Sequence, residues 1–161
     1  IRILNILSEL KLKINIDKTK AMIFEKGRRT QHAFKLYDTP IEQVDSFKYL
    51  GLTLFRNGNW LRSQKCIADH ASFALYNLFG LFETLELPTS QKCKLFDALV
   101  GSILNFGSEL WGIHKSPDIE KVHTKFLRRI LCVKKSTNLA ALYGELGRVP
   151  LFVMRKIHMI K

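Results

Sequence analysis

The residues best arranged to do chemistry are cationic. Lys121, Lys125 and Arg128 fall within about 60° of one another on a helical wheel, with Arg129 at the edge and an apolar stripe on the opposite side. From Lys121 to Lys135 there are six Lys or Arg residues and no acid. Cations arrayed on a rigid helix can follow a phosphate backbone, each contact releasing a counterion. A solvated helix face carries the same pattern, and at a net charge of +12 the two readings stand level. A second polar cluster, Asn15-Ile16-Asp17-Lys18-Thr19-Lys20, lies between two apolar segments. Asn and Asp favour a turn there by bonding to the backbone, and the lysines could instead reach a polyphosphate. In Phe47-Lys48-Tyr49-Leu50-Gly51 a glycine interrupts a strand-like run, which marks a bulge or the close approach of another backbone or a ligand.

Familiar catalytic constellations do not occur. There is no glycine-rich phosphate loop, no G-x-S-x-G and no H-E-x-x-H. Asp17, Asp38, Asp45, Asp69, Asp97 and Asp118 are scattered, so sequence places no two of them to share a divalent metal. Cys66 and His70 stand at i, i+4 on an expected helix, but no second ligand pair is in reach and no metal site is assigned. The remaining composition bounds the class. With 161 residues the chain fits one domain or two small ones and can bury roughly 70% of its unfolded surface. A hydrophobic content of 47% excludes a disordered tail, and no apolar run approaches the roughly 18 residues that would span a bilayer. Twenty-six basic residues against 14 acidic ones predict a polyanionic partner. Three cysteines, Cys66, Cys93 and Cys132, suit a reducing intracellular compartment. The start at Ile1-Arg2 reads as a piece of a longer chain.

The elements that must position these residues change period near residue 60. Ile3, Ile6, Leu7 and Leu10 have helical spacing, Leu12 to Ile16 alternates, and Ala21 to Phe24 is a short apolar run, predicting helix, strand, turn, strand. Residues 33 to 55 read as a short meander, with Tyr37-Asp38-Thr39-Pro40 as a turn. From Trp60 the period is helical: Leu61, Ala68, Ala71, Leu75, Leu78, Phe82 and Leu85 form one stripe. Pro88-Thr89-Ser90 ends that helix and supplies a cap for a second, with Leu95, Phe96, Leu99, Val100, Ile103 and Phe106 on one side. Ser116-Pro117-Asp118 opens a third helix, with a hydroxyl cap and the stripe Ile119, Val122, Phe126, Ile130 and Val133. Asn138 to Leu146 makes a short fourth helix, and Pro150 opens a last apolar-basic segment.

Several of these strings fall in an order that resembles the reverse transcriptases of LINE-type, non-LTR retrotransposons. Leu12-Lys13-Ile14-Asn15 with Lys18-Thr19-Lys20, then Ser46-Phe47-Lys48-Tyr49-Leu50-Gly51, resemble the end of the palm in that family. Gly107 to Gly112, Phe126 to Leu131 and Tyr143 to Leu151 resemble the segments that follow the polymerase core. The resemblance implies an α+β chain: a small antiparallel palm remnant over 1–58 with a primer-grip hairpin, a helical thumb over 59–113 and a basic helical extension over 114–161. It implies that Lys18, with Lys20 as second choice, helps protonate departing pyrophosphate. Phe47, Lys48, Tyr49, Leu50 and Gly51 would form the primer grip, where backbone approaches backbone at Gly51. Asn15, Thr19, Lys121, Lys125, Arg128 and Arg129 would bind nucleic acid.

By the same resemblance the partners are an RNA template and DNA primer duplex and the upstream part of the same polyprotein, with no membrane. The setting would be an intracellular ribonucleoprotein, nuclear or cytoplasmic. Mg2+ would serve the complete polymerase, and this chain would hold none, because the family's paired aspartates would lie upstream of Ile1. Alone, the piece is expected to be inactive. Lys11-Leu12 departs from the glycine expected before that leucine. Two other readings stay open: a stand-alone nucleic-acid-binding module from a decayed element, and a basic helical domain whose charge serves only solubility.

Overall fold

The computed structural model describes Ile6 and residues 9–36 and 38–160, without the side chain of His158. The fold is α+β, and the backbone separates into two units that meet at the Asn59–Trp60 junction. The helix expected from Ile3 to Leu10 depends on Ile3 and Leu7, which lie outside the described residues; the Leu10 N–H donates to the Ile6 carbonyl at 3.0 Å.

Among its described residues the first unit holds five short strands in two sheets: β1 (Lys20–Ala21), β2 (Phe34–Leu36), β3 (Thr39–Gln43), β4 (Ser46–Tyr49) and β5 (Leu52–Phe55). The single meander expected from alternation is therefore divided. β3 is central to the first sheet, antiparallel to β2 and parallel to β1, while β4 and β5 form a separate antiparallel hairpin. Residues 12–16 and 22–24 form no strand despite their apolar content, because ladder partners, not alternation, make a strand. Thr39 and Pro40, expected in a turn, belong to β3 and pair with Leu36 and Lys35; Asp38 takes the positive φ of 65° that the tight reversal needs, and Tyr37 lies outside the described residues.

Ion pairs tie the loop over residues 25–30 to these strands. The Glu25 N–H donates to the Arg56 carbonyl at 2.9 Å, and the Arg56 N–H donates to the Asp45 carbonyl at 2.9 Å. The Arg56 guanidinium reaches Asp45 at 3.3 Å and Glu25 at 3.6 Å, and Arg29 reaches the other Asp45 oxygen at 3.3 Å. The Glu25 carboxylate also accepts from the Thr30 hydroxyl and backbone N–H at 2.7 Å each, which hold its pKa below the usual carboxylate value.

The second unit is helical. α1 (Trp60–Thr84) is followed by α2 (Thr89–Phe96), a π-helical turn over Asp97–Gly101, α3 (Ser102–Leu104), α4 (Ser108–Trp111), α5 (Pro117–Ile130), α6 (Leu139–Glu145) and α7 (Leu151–Ile160). Its core takes Ala71, Leu75 and Leu78 from α1, Phe96, Val100 and Leu104 from the α2–α3 segment, Trp111, then Ile119, Phe126 and Leu127 from α5. The rings of Phe96 and Phe126 stack at 3.9 Å, each fully buried, which contributes roughly 1.5–3 kcal/mol per ring. The predicted stripes hold in part. Leu61, Leu85, Leu99 and Phe106 are exposed. The π turn explains Leu99, because the wider turn rotates it away from the line of Phe96, Val100 and Leu104, and Phe106 lies beyond the end of α3. Neither predicted hydroxyl cap forms: Pro88 occupies the N-cap of α2, and Ser116 at the N-cap of α5 makes no side-chain cap bond. Asn138 does cap α6, accepting from the Ala140 N–H at 2.8 Å.

Glu120 links α5, α6 and α7. Its carboxylate accepts from the backbone N–H groups of Leu151 at 3.2 Å and Phe152 at 2.8 Å, so it caps α7 from another helix. The Tyr143 hydroxyl donates to it at 3.5 Å, and buried His123 and Arg155 approach to 4.0 and 3.9 Å. Burial pushes the Glu120 pKa up, but the His123 side chain and the two N–H donors outweigh it and hold the pKa below the usual carboxylate value. Burial and the nearby carboxylate push the Tyr143 hydroxyl up to about 12.

A carboxyl whose folded pKa is depressed stabilises the fold above its unfolded pKa and loses that contribution as pH falls through the folded value. Stability of the second unit is therefore expected to decline on acidification below about pH 4.3. Glu120→Gln should cost about 1–3 kcal/mol at neutral pH and flatten that acid limb in denaturant titrations across pH. Gly112 donates to the Ser108 carbonyl at 2.6 Å, and a Cβ there would collide with that carbonyl. Gly112→Ala should cost about 1–3 kcal/mol, whereas Gly80→Ala, whose Cβ meets nothing within 4 Å on α1, should stabilise by up to about 1 kcal/mol.

Candidate nucleic-acid interface

α5 presents two faces because its sequence does. Ile119, Val122, His123, Thr124, Phe126 and Leu127 are buried, a wider face than the expected stripe, and Val133 lies beyond the helix and is exposed. Lys121, Lys125, Arg128 and Arg129 fall on the other side and line an open groove against α1. The groove has a volume of about 1270 Å³, above the roughly 300–1,000 Å³ typical of small-molecule clefts. Its other basic members are Lys92 of α2 and Lys135.

α1 supplies the opposite wall, and its contribution is aromatic. The Lys125 ammonium donates to the Tyr76 hydroxyl at 2.5 Å and lies 4.0 Å from the centre of that ring. This contact holds the Tyr76 hydroxyl below its ordinary pKa. The Arg129 guanidinium lies 5.8 Å from the Phe79 ring and pairs with Glu83 at 2.8 Å. Lys92 lies 5.6 Å from Phe82. Lys121 pairs with Asp118 one turn back, at 3.1 Å, and Arg128 keeps a buried Nε without a hydrogen-bond acceptor.

The four cations identified from sequence thus come together. The aromatic wall was missed: Phe82 was placed in a buried stripe but is half-buried, at the groove. A signal existed. Phe73, Tyr76, Phe79 and Phe82 recur every three residues, a spacing that sweeps about 180° around a helix and cannot all enter one core.

The turn over Asn15 to Lys20 is self-satisfied at its backbone. Asn15 accepts from the Lys18 N–H through its side chain at 3.1 Å and from the Thr19 hydroxyl through its carbonyl at 2.8 Å. Lys20 is held by Glu42 at 2.6 Å, and Lys18 is exposed. Cys66 and His70 are exposed on α1. Among the described residues no three His, Cys, Asp or Glu side chains converge on one point.

Phe47, Lys48, Tyr49, Leu50 and Gly51 form the first strand and turn of the β4–β5 hairpin. Phe47 is half-buried, Lys48 is exposed, and Tyr49 and Leu50 are 58% and 77% exposed. Tyr49 pairs with Leu52, leaving a two-residue turn in which both Leu50 and Gly51 have positive φ, 47° and 89°. Gly51 is therefore neither a bulge nor a mid-strand glycine; it is the second residue of a mirror-image turn, the kind that matches strand twist. Leucine is the strained choice beside it.

The chain is 30% identical over 134 residues to an uncharacterized transposon-derived protein of Caenorhabditis elegans, a match covering 77% of this chain and 46% of that protein. That similarity supports a transposon-related protein. The chain spans less than half the length of this relative. No protein-family model and no solved structure matches the chain. Among the described residues no helix of this transposon-related chain is long and apolar enough to cross a membrane.

The turn geometry yields a direct test. Leu50→Asn should raise stability by about 1 kcal/mol, because Asn tolerates the left-handed region at lower cost. Gly51→Val should lower it by more than that, and both shifts are measured by chemical denaturation.

Proposed function

We infer that the chain is the palm end, thumb and following extension of an RNA-directed DNA polymerase of a non-LTR retrotransposon, contributing primer grip and template-primer binding. The observation that carries this reading is the basic groove of α1 and α5, which gathers Lys121, Lys125, Arg128 and Arg129 against aromatic rings in a transposon-related chain. Such a wall binds phosphates without reading bases and steers a duplex by charge. The strained, exposed Leu50 at the tip of the β4–β5 hairpin supports the primer-grip assignment, since strain kept at an exposed apolar tip is a common mark of function. Lys18 is the proton donor toward departing pyrophosphate in this reading, and Lys20, already paired with Glu42, is second.

Magnesium, the paired aspartates and the upstream polyprotein belong to the remainder of the enzyme, which acts in an intracellular ribonucleoprotein, nuclear or cytoplasmic. Magnesium supplies charge neutralisation for phosphoryl transfer; this chain's part is to hold and orient the primer end and the duplex. The second reading, a stand-alone nucleic-acid-binding module, draws on the same groove.

Fusing the chain to an upstream segment that carries the paired aspartates should give magnesium-dependent DNA synthesis on a primed RNA template. Phe47→Ala with Tyr49→Ala should reduce primer extension at least tenfold while leaving template-primer affinity within a few-fold. Undiminished synthesis by that double variant would remove the primer grip from Phe47–Gly51. A fused protein that binds nucleic acid but never extends a primer would favour the stand-alone module.

A further inference from the structure

We propose that the groove between α1 and α5 is a track for single-stranded nucleic acid, in which bases stack on Tyr76, Phe79 and Phe82 and phosphates lie along the cations of α5. The proposal rests on the nucleic-acid-binding part of the reading above and not on polymerase activity. It differs from duplex tracking in the ligand it selects.

The three rings stand at i, i+3 and i+6 on α1, so neighbouring Cβ atoms lie about 5–6 Å apart and the row runs about 9 Å along the helix axis. That is room for two or three successive bases. Each ring already has a cation above it: Lys125 at 4.0 Å from Tyr76, Arg129 at 5.8 Å from Phe79 and Lys92 at 5.6 Å from Phe82. Tyr76 is 59% exposed, and the two phenylalanines are half-buried in the wall. A ring paired with a mobile ammonium or guanidinium is a two-part receptor for a nucleotide. The base takes the ring face and the cation swings to the phosphate beside it.

Duplex can use the cations of this arrangement but not its rings. Its bases are stacked on one another, so it offers a protein phosphates and groove edges, and rings recessed in a groove would add nothing to the contact. A single strand exposes a π face at every nucleotide, and stacking tolerates every base. Charge fits the same ligand. Six Lys or Arg residues line the groove against one acid, Glu83. Glu83 occupies Arg129 at 2.8 Å, with both side chains more than 60% exposed, where an incoming phosphate would compete for the same guanidinium.

The test uses the 161-residue chain with a labelled single strand of about 12 nucleotides, a blunt duplex of the same length and a polyglutamate peptide. Binding is followed by fluorescence anisotropy from about 50 to 200 mM salt, with far-UV circular dichroism to confirm each variant is folded. The single strand should bind at least about tenfold more tightly than the duplex. Tyr76→Ala, at an exposed position, and Phe79→Leu, which keeps apolar volume but removes the flat face, should each weaken the single strand by about 5- to 100-fold and change the duplex by less than about twofold. Glu83→Gln should tighten single-strand binding and steepen its log-log salt slope by about 0.7, a gain that a merely folded or misfolded groove would not produce. Equal affinity for strand and duplex, or indifference to Tyr76→Ala and Phe79→Leu, would overturn the proposal while leaving nucleic-acid binding standing. Polyglutamate binding as tightly as the strand would reduce the site to nonselective charge and overturn it as well. Absence of binding to either nucleic acid at low salt would remove both the track and the reading beneath it.

Discussion

The helical unit is organised by one conflict: α5 must bury Ile119, Val122, Phe126 and Leu127 in a common core with α1, yet it carries four cations that cannot follow them inside. Desolvating an unpaired ammonium or guanidinium costs far more than an apolar face returns. The chain resolves this by letting the long basic side chains lie across the aromatic wall of α1 with their charged ends in the groove. Tyr76, Phe79 and Glu83 are therefore part of how α5 is held as well as what it presents. Everything C-terminal depends on that placement, because Glu120 on the same helix receives the first N–H groups of α7 and approaches Tyr143 of α6.

The strand unit solves a different problem with different means. Its strands are two to five residues long, and of its described residues only Leu52 is buried. Burial alone would not hold such short strands. The connected carboxylates and guanidiniums of Glu25, Arg29, Asp45 and Arg56 bind the loop over residues 25–30 to the strands, while the mirror-image turn at Leu50–Gly51 fixes the register of the hairpin. Networks of this kind exceed the modest worth of an isolated surface pair when several charges share partners.

How much of this was legible follows from what each signal measures. The 3.6-residue period placed α1, α5 and α6 within a few residues, because burial of one face imposes that period on the sequence. It placed the cations of α5 together for the same reason. Pairing partners are not written in a strand's own residues, so the parallel contact of β1 with β3 and the division into two sheets were beyond alternation. The hydroxyl caps failed because composition at a helix start indicates a competent donor or acceptor and not whether it is used. Glu120 went unnoticed because its importance lies in backbone groups 31 and 32 residues away. The aromatic wall was visible as a three-residue spacing, but one that a search for core stripes absorbs rather than reports.

The π turn at Asp97–Gly101 gives the segment from α2 to α3 an unusual tolerance pattern across divergence. An i→i+5 turn holds one residue more than an α turn, so a single-residue deletion there would close into regular helix without breaking its hydrogen-bond ladder. It would leave Leu104 facing the core, because the lost residue and the lost extra rotation cancel. Length variation at this point is thus cheap for the backbone and for packing alike, and homologous chains that lack the extra residue should keep their large apolar side chains on the same face from there to Trp111.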